Sequence, residues 1–223
     1  MFSINPLSLG RVIVSCSIVK ANWKRALPVQ LMLVFAVTRW PGLMPLNFSA
    51  AYALSFCAGL YFPRRMAYWL PLSALVLSDL ALDFYYYFSL HIDAFKPTQL
   101  INYAAYTSII WLGTRFSSRA PLLKLVAGGI VGAVLFYLIT NTAAWFFNPF
   151  QNPEYTRRFS GWLIALTKGT AGYPETWHFF RNTLFSGGLF TAFFAGAMKL
   201  SDREDAAEEK PQVEEGATEE SQA

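Results

Sequence analysis

Two carboxylates, Asp79 and Asp83, lie inside the apolar run MAYWLPLSALVLSDLALDFYYYF at residues 66–88. A spacing of four puts both on one helix face. A carboxylate facing hydrocarbon is costly, so this face must turn towards a bundle interior or a wet cavity, where it can hold a cation, a proton or a ligand. Two such acids close together in a low dielectric would share a proton. The structural alternative pairs Asp79 with Ser78, Asn102 or a basic side chain across a bundle. Asp83 would then sit at the membrane edge, beside the aromatic belt Tyr85-Tyr86-Tyr87.

Further hydrogen-bonding groups recur near the ends of apolar stretches: Asn102 and Tyr103, Thr140-Asn141-Thr142, and Asn182-Thr183. At similar depth they would line a ligand pocket. As ordinary interhelical glue they would satisfy one another. Arg39, beside Trp40, either clamps an anionic group or snorkels to headgroups. Arg181, bordered by Trp177 and His178, poses the same choice, and Trp177 offers a ring for stacking. His91 and His178 are the only histidines and cannot form a multi-histidine metal site. Cys16 and Cys57 are far apart and read as unpaired. No Walker A, HExxH or GxSxG pattern occurs, and GTAGYP at 169–174 lacks the Gly-Lys-Ser/Thr of a phosphate loop. The expectation is therefore no enzyme, no catalytic set, no metal and no cofactor.

The elements that must position these residues are helices. Of 223 residues, 54% are hydrophobic and only 14% charged, well below a soluble domain's quarter. Residues 1–200 carry a net charge of +11 and residues 201–223 one of −7. The basic residues fall in short gaps between apolar stretches, as positive-inside topology requires, and not in a patch that would engage nucleic acid. Six spanning helices are expected, over about 26–40, 47–62, 66–88, 98–112, 121–147 and 177–199. Pro71 would kink the third or delay its start. Asn47 or Ser49 would cap the second. FSGWLIALTK, at 159–168, is too short to cross and reads as an interfacial or re-entrant helix.

The fold class is thus an all-α polytopic membrane protein, a six-helix transmembrane bundle. A peripheral segment at 1–25 would precede a membrane domain at 26–200. An acidic tail at 201–223 would be disordered. No signal peptide is read at the N-terminus. Charge bias places both termini in the cytoplasm. Small residues four apart, such as Ala53 and Cys57, Gly128 and Gly132, Gly129 and Ala133, and Ala192 and Gly196, would let helices approach closely inside the bundle, or would dock another subunit.

Four ordered blocks carry a resemblance: PLNFSAAYALSFCAGLYFPRR at 45–65, LPLSALVLSD at 70–79, LITNTAAWF at 138–146 and FFRNTLFSGGLFTAFFAG at 179–196. They resemble the DUF6580-like bacterial membrane proteins, which in turn are similar to the substrate-binding S components of energy-coupling factor (ECF) vitamin transporters. That resemblance implies a six-helix bundle with a pocket near the extracellular face, closed by the first and fifth connecting loops. By position it implies roles for Pro45-Leu46-Asn47-Phe48, Ser78-Asp79, Thr140-Asn141 and Arg181-Asn182-Thr183. The first helix, ALPVQLMLVFAVTRW, lacks the AxxxA pattern by which such components often meet a shared ATPase module. Met44 and Asp83 stand where relatives commonly have a histidine and a glycine.

The leading expectation is a membrane substrate-binding or uptake component for a small organic molecule. Its partners would be the bilayer, a small-molecule ligand held by Arg39, Asn47, Asp79, Asp83, Asn102, Asn141, Trp177, Arg181 and Asn182, and an ECF-like energising module or other membrane subunit. The alternative is a membrane scaffold or accessory subunit with no ligand. A proton-coupled carrier or enzyme using Asp79 is a third reading.

Overall fold

The computed structural model describes residues 32–91 and 98–220, with side chains as far as Asp202. The segment expected at 1–25, the start of the first helix and residues 92–97 lie outside the described residues. Among the described residues there are seven helices and no strand. They are α1 (residues 32–38), α2 (Ala51–Tyr61), α3 (Arg64–Leu90), α4 (Gln99–Gly113), α5 (Leu122–Phe147), α6 (Phe159–Leu166) and α7 (Thr176–Glu220).

Each boundary has a local cause. Pro41-Gly42 follows α1, with Gly42 at φ +79°, a conformation that glycine adopts without strain. The chain then turns at Pro45-Leu46-Asn47-Phe48, where the Phe48 N–H donates to the Pro45 carbonyl at 2.9 Å. Asn47 takes φ +60°, tolerated best by asparagine among residues with a side chain. The start of α2 therefore falls at Ala51, four residues later than expected. Its first N–H groups are satisfied from two sides. Ser49 Oγ accepts from Ala51 N, and Thr38 Oγ1, on α1, accepts from Ala50 N, both at 3.2 Å. Pro63 and Pro121 immediately precede α3 and α5, where a missing N–H costs nothing. The expected delay at Pro71 does not occur. α3 runs unbroken from Arg64, with Pro71 buried inside it.

Among the described residues, three helices are long and apolar enough to cross a membrane: Arg64–Leu90, Leu122–Phe147 and Thr176–Asp202. α2 has 11 residues, or roughly 16 Å of helix, well short of a hydrocarbon core. It is the buried centre of the bundle instead, packed by α3, α4, α5 and α7. Nine of its residues are buried. The run at 66–88, which the sequence marks as the organising element, lies at the periphery. α3 touches the bundle along one stripe, Ala67, Pro71, Leu75 and Asp79, a strict spacing of four. Its other face exposes Trp69, Leu77, Phe84, Tyr87 and Phe88, which suits contact with acyl chains and not with water.

Small residues set the packing distances. Gly59 on α2 and Gly113 on α4 face each other so closely that an added Cβ on either would strike the other helix's backbone. On α5, Gly128 receives the rings of Phe56 and Phe116, Gly129 receives Thr191, and Gly132 lies against Ile109. The α5 stripe is thus used inside the bundle. Gly196 on α7 has nothing within 4 Å of where its Cβ would be.

α6 packs beside α5. Tyr137 donates from its hydroxyl to the Leu166 carbonyl, and Trp162 Nε1 donates to Thr142 Oγ1 at 2.9 Å. α7 is helical from Thr176 through Glu220, into the acidic segment. Alanine, glutamate and lysine are strong helix formers, and extending an existing helix avoids the cost of nucleation.

Candidate functional site

One end of the bundle gathers polar groups from five elements. The α1–α2 loop, the last turns of α3 and α5 and the first turns of α2 and α4 surround a cavity of about 500 Å³. Among its lining residues are Arg39, Asn47, Asn102 and Asn141. Below them Tyr52, Tyr106 and Phe136 form an aromatic floor. Tyr106 and Phe136 have centroids 4.7 Å apart, Tyr52 and Phe136 5.0 Å, and Tyr52 and Tyr106 6.1 Å. The ring contacts fix one another's angle, so the floor is preformed.

The amides are unevenly committed. Asn141 Nδ2 donates to the Tyr137 carbonyl at 2.9 Å, leaving its carbonyl oxygen for the cavity. The side chains of Asn47 and Asn102 have no hydrogen-bond partner among the described residues. The Asn47 backbone carbonyl accepts from the Tyr52 hydroxyl at 3.3 Å, tying the turn to the floor. Trp40, another lining residue, packs against Tyr85 with centroids 5.5 Å apart.

Arg39 is the charged group that reaches the cavity. Its Nη2 pairs with Asp79 Oδ1, and Nη1 donates to Ser78 Oγ at 3.1 Å. Ser78 Oγ in turn donates to the Leu75 carbonyl at 2.8 Å. The guanidinium also lies 5.6 Å from the centroid of the Phe35 ring. Guanidinium has five N–H donors, so these two contacts leave others free to face a ligand. Asp79 is buried behind it, at 7% exposure. The Tyr103 hydroxyl lies within interaction range of the same carboxylate. Asp79 thus pairs with a basic side chain and lies outside the cavity lining. Its part in the cavity is to orient Arg39.

Thr140, another sequence candidate, joins the lining, whereas Asp83, Trp177, Arg181, Asn182 and Thr183 do not. Asp83 is half-buried and accepts from Gln99 Nε2 at 3.1 and 3.3 Å. Asn182 Nδ2 donates to the Leu46 carbonyl at 2.9 Å, so α7 clamps the loop that roofs the cavity. Arg181 stacks on Trp177, 5.8 Å from its centroid, and Trp177 Nε1 donates to Glu175 Oε2 at 2.5 Å. Thr183 is buried and donates to the Phe179 carbonyl at 2.8 Å. Among the described residues, no group of three His, Cys, Asp or Glu side chains is placed to hold a metal ion.

Sequence reasoning missed Thr38, Tyr52, Tyr106 and Phe136. The three rings look like ordinary apolar filling in a sequence that is 17% aromatic. Their only signal was position, one or two turns from an asparagine or the loop that bears one. A second cavity of about 600 Å³ adjoins the first, sharing Asn141 and Ala144, and lies under the α5–α7 connection with Asn152, Tyr155, Thr170 and Tyr173 in its wall.

The described residues form an all-helical fold with three helices of membrane-crossing length, enclosing a polar cavity at one end. It belongs to DUF6580, a family of unknown function, which it matches over residues 19–210. No curated protein and no solved structure matches it.

Proposed function

We propose that the protein is an integral membrane substrate-binding component that takes a small organic molecule into the cavity between Arg39, Asn47, Asn102 and Asn141. The observation that carries this reading is the pairing of free amide groups with a preformed aromatic floor in a space of about 500 Å³, a size typical of small-molecule sites. Structural glue would leave those amides bonded to protein. Arg39 and Asp79 cancel in charge, and the rest of the lining is neutral. The site therefore favours a flat ligand with a polar edge and little net charge. In this reading α1 and α4, with the short α2 enclosed at the centre, complete a six-helix membrane bundle of the ECF S-component kind, in a bacterial inner membrane with both termini cytoplasmic. Uptake would need an energising partner.

The test is native mass spectrometry of the protein purified from its own membranes. A bound small molecule is expected, with occupancy reduced about tenfold in Asn102→Leu, the worth of one hydrogen bond. An empty cavity together with a stably co-purifying membrane protein would instead establish the scaffold reading. The internal use of the α5 glycines supports the binding reading, because that stripe is not free for a partner.

A further inference from the structure

The opposite end of the bundle holds a chemically different cleft, of about 430 Å³. It opens where the last turn of α2, the first turns of α3 and the end of α4 meet. Gly59, Leu60, Phe62, Tyr68 and Phe116 form part of its wall, and Arg64, Arg115, Trp111 and Thr114 supply the rest. Arg115 sits over the Trp111 ring, 4.5 Å from its centroid. Neither Arg64 nor Arg115 has a carboxylate partner among the described residues.

Among the described side chains, charge separates the two ends. Arg65, Arg119, Lys124 and Lys199 join Arg64 and Arg115 at this end. Of the described carboxylates, Asp79, Asp83, Glu154 and Glu175 belong to the cavity end. Asp202 lies at the cleft end, within electrostatic range of the Tyr61 hydroxyl. The cavity's single arginine is neutralised by Asp79, whereas the cleft's two are not. Two uncompensated guanidinium groups converging on one space suit a phosphate, which each can engage with paired N–H donors. The first N–H groups of α3 have no side-chain cap and add to the positive field.

The walls beside the cleft name the source of that phosphate. Trp69 is 77% exposed, Leu123 80%, Trp111 51% and Met66 46%. Met66 and Trp69 lie in the first turns of α3 and Leu123 in the first turn of α5, both helices of membrane-crossing length, and Trp111 at the end of α4 lines the cleft itself. A headgroup in the cleft would leave its acyl chains lying on those side chains. A soluble anion would use none of them.

We propose that this cleft is a binding site for the phosphate headgroup of an anionic phospholipid, held by Arg64 and Arg115. The inference rests on the membrane placement in the functional reading above, and is independent of what occupies the cavity. Such a lipid would join the α2–α3 turn to the end of α4, beside the close contact of Gly59 with Gly113.

The experiment compares delipidated full-length protein reloaded with phosphatidylglycerol, phosphatidylcholine or inorganic phosphate, by native mass spectrometry and thermal unfolding. Phosphatidylglycerol is expected to survive collisional activation as a one-to-one adduct and to raise Tm above the phosphatidylcholine value. The double variant R64Q/R115Q should weaken that adduct about 30-fold, following the usual worth of two basic residues at an anionic surface. Both arginines are exposed, so the variant should fold. R157Q/R158Q, at the other end, should leave the adduct unchanged. Equal retention of the two lipids, or an adduct indifferent to R64Q/R115Q, would overturn the proposal. So would equal stabilisation by inorganic phosphate, which would make the site one for a free anion. Failure to retain either lipid would count against the membrane placement itself.

Discussion

Asp79 and Asp83 lie one turn apart on α3, yet the chain surrounds them differently. Around Asp79, α1 brings Arg39 from 40 positions away, with Ser78 as a second acceptor and Tyr103 alongside. The carboxylate is buried, and its partner opens onto a cavity. Around Asp83, the neighbour is the neutral amide of Gln99, 16 positions away, and the acid stays half-exposed. Residue type, spacing and helix face are shared. The difference comes from depth along the bundle and from what another element happens to present there. An ionised group deep in the bundle demands a counter-charge, whereas one near the rim is solvated.

The comparison yields its largest expected effect at Arg39. Arg39→Gln strands a buried carboxylate, which costs about 3 kcal/mol, the low end for a broken buried pair because Arg39 is partly open to the cavity. Asp79→Asn should cost less, about 1–2 kcal/mol, since the arginine left behind can reach cavity water. The double variant should be more stable than Arg39→Gln alone. Thermal unfolding in detergent reads all three, and a simple sum of the two single effects would show that the pair is not coupled.

Packing gives the next effect, at a place where no charge is involved. Gly59→Ala drives a methyl group into the Ile110 carbonyl on α4, and backbone cannot rotate away as a side chain would. Overpacking of this kind costs about 1–3 kcal/mol, against a gain of about 1 kcal/mol in helix propensity. A net loss of Tm is expected. At Gly196, where the space is open, the same substitution should raise Tm by the propensity term alone.

A smaller effect belongs to the loop that roofs the cavity. Asn47→Ala places alanine at φ +60° and should cost about 1 kcal/mol, whereas Asn47→Gly should keep the turn. If Asn47 also contacts ligand, both variants lose bound small molecule although only one loses stability. That contrast separates its backbone role from its side-chain role.

Much of this arrangement was legible in the residues. Hydropathy and proline positions located α3, α4, α5 and α6 to within about two residues, because apolar stretches and helix breakers act locally. The cavity's polar members Arg39, Asn47, Asn102 and Asn141 stood out as polar groups beside apolar runs. What did not show was depth and partnership. The eleven-residue α2 reads as a spanning helix, because burial inside protein and burial in lipid select the same apolar side chains. The pairing of Asp79 with Arg39 depends on α1 packing beside α3, which no local pattern records. Tyr52, Tyr106 and Phe136 were hidden for the same reason.

Asp83→Asn is the smallest expected change and the sharpest check on the comparison. The substitution keeps the shape and one acceptor oxygen for Gln99, and removes a charge that no cation within the described residues balances. Stability should stay within about 0.5 kcal/mol of the parent protein, as for a substitution away from the core and its buried networks. Ligand occupancy should also hold, because Asp83 is outside the cavity wall. If occupancy falls as far as in Arg39→Gln, the two acids act together after all, and the division between a buried orienting carboxylate and a solvated one on the same helix fails.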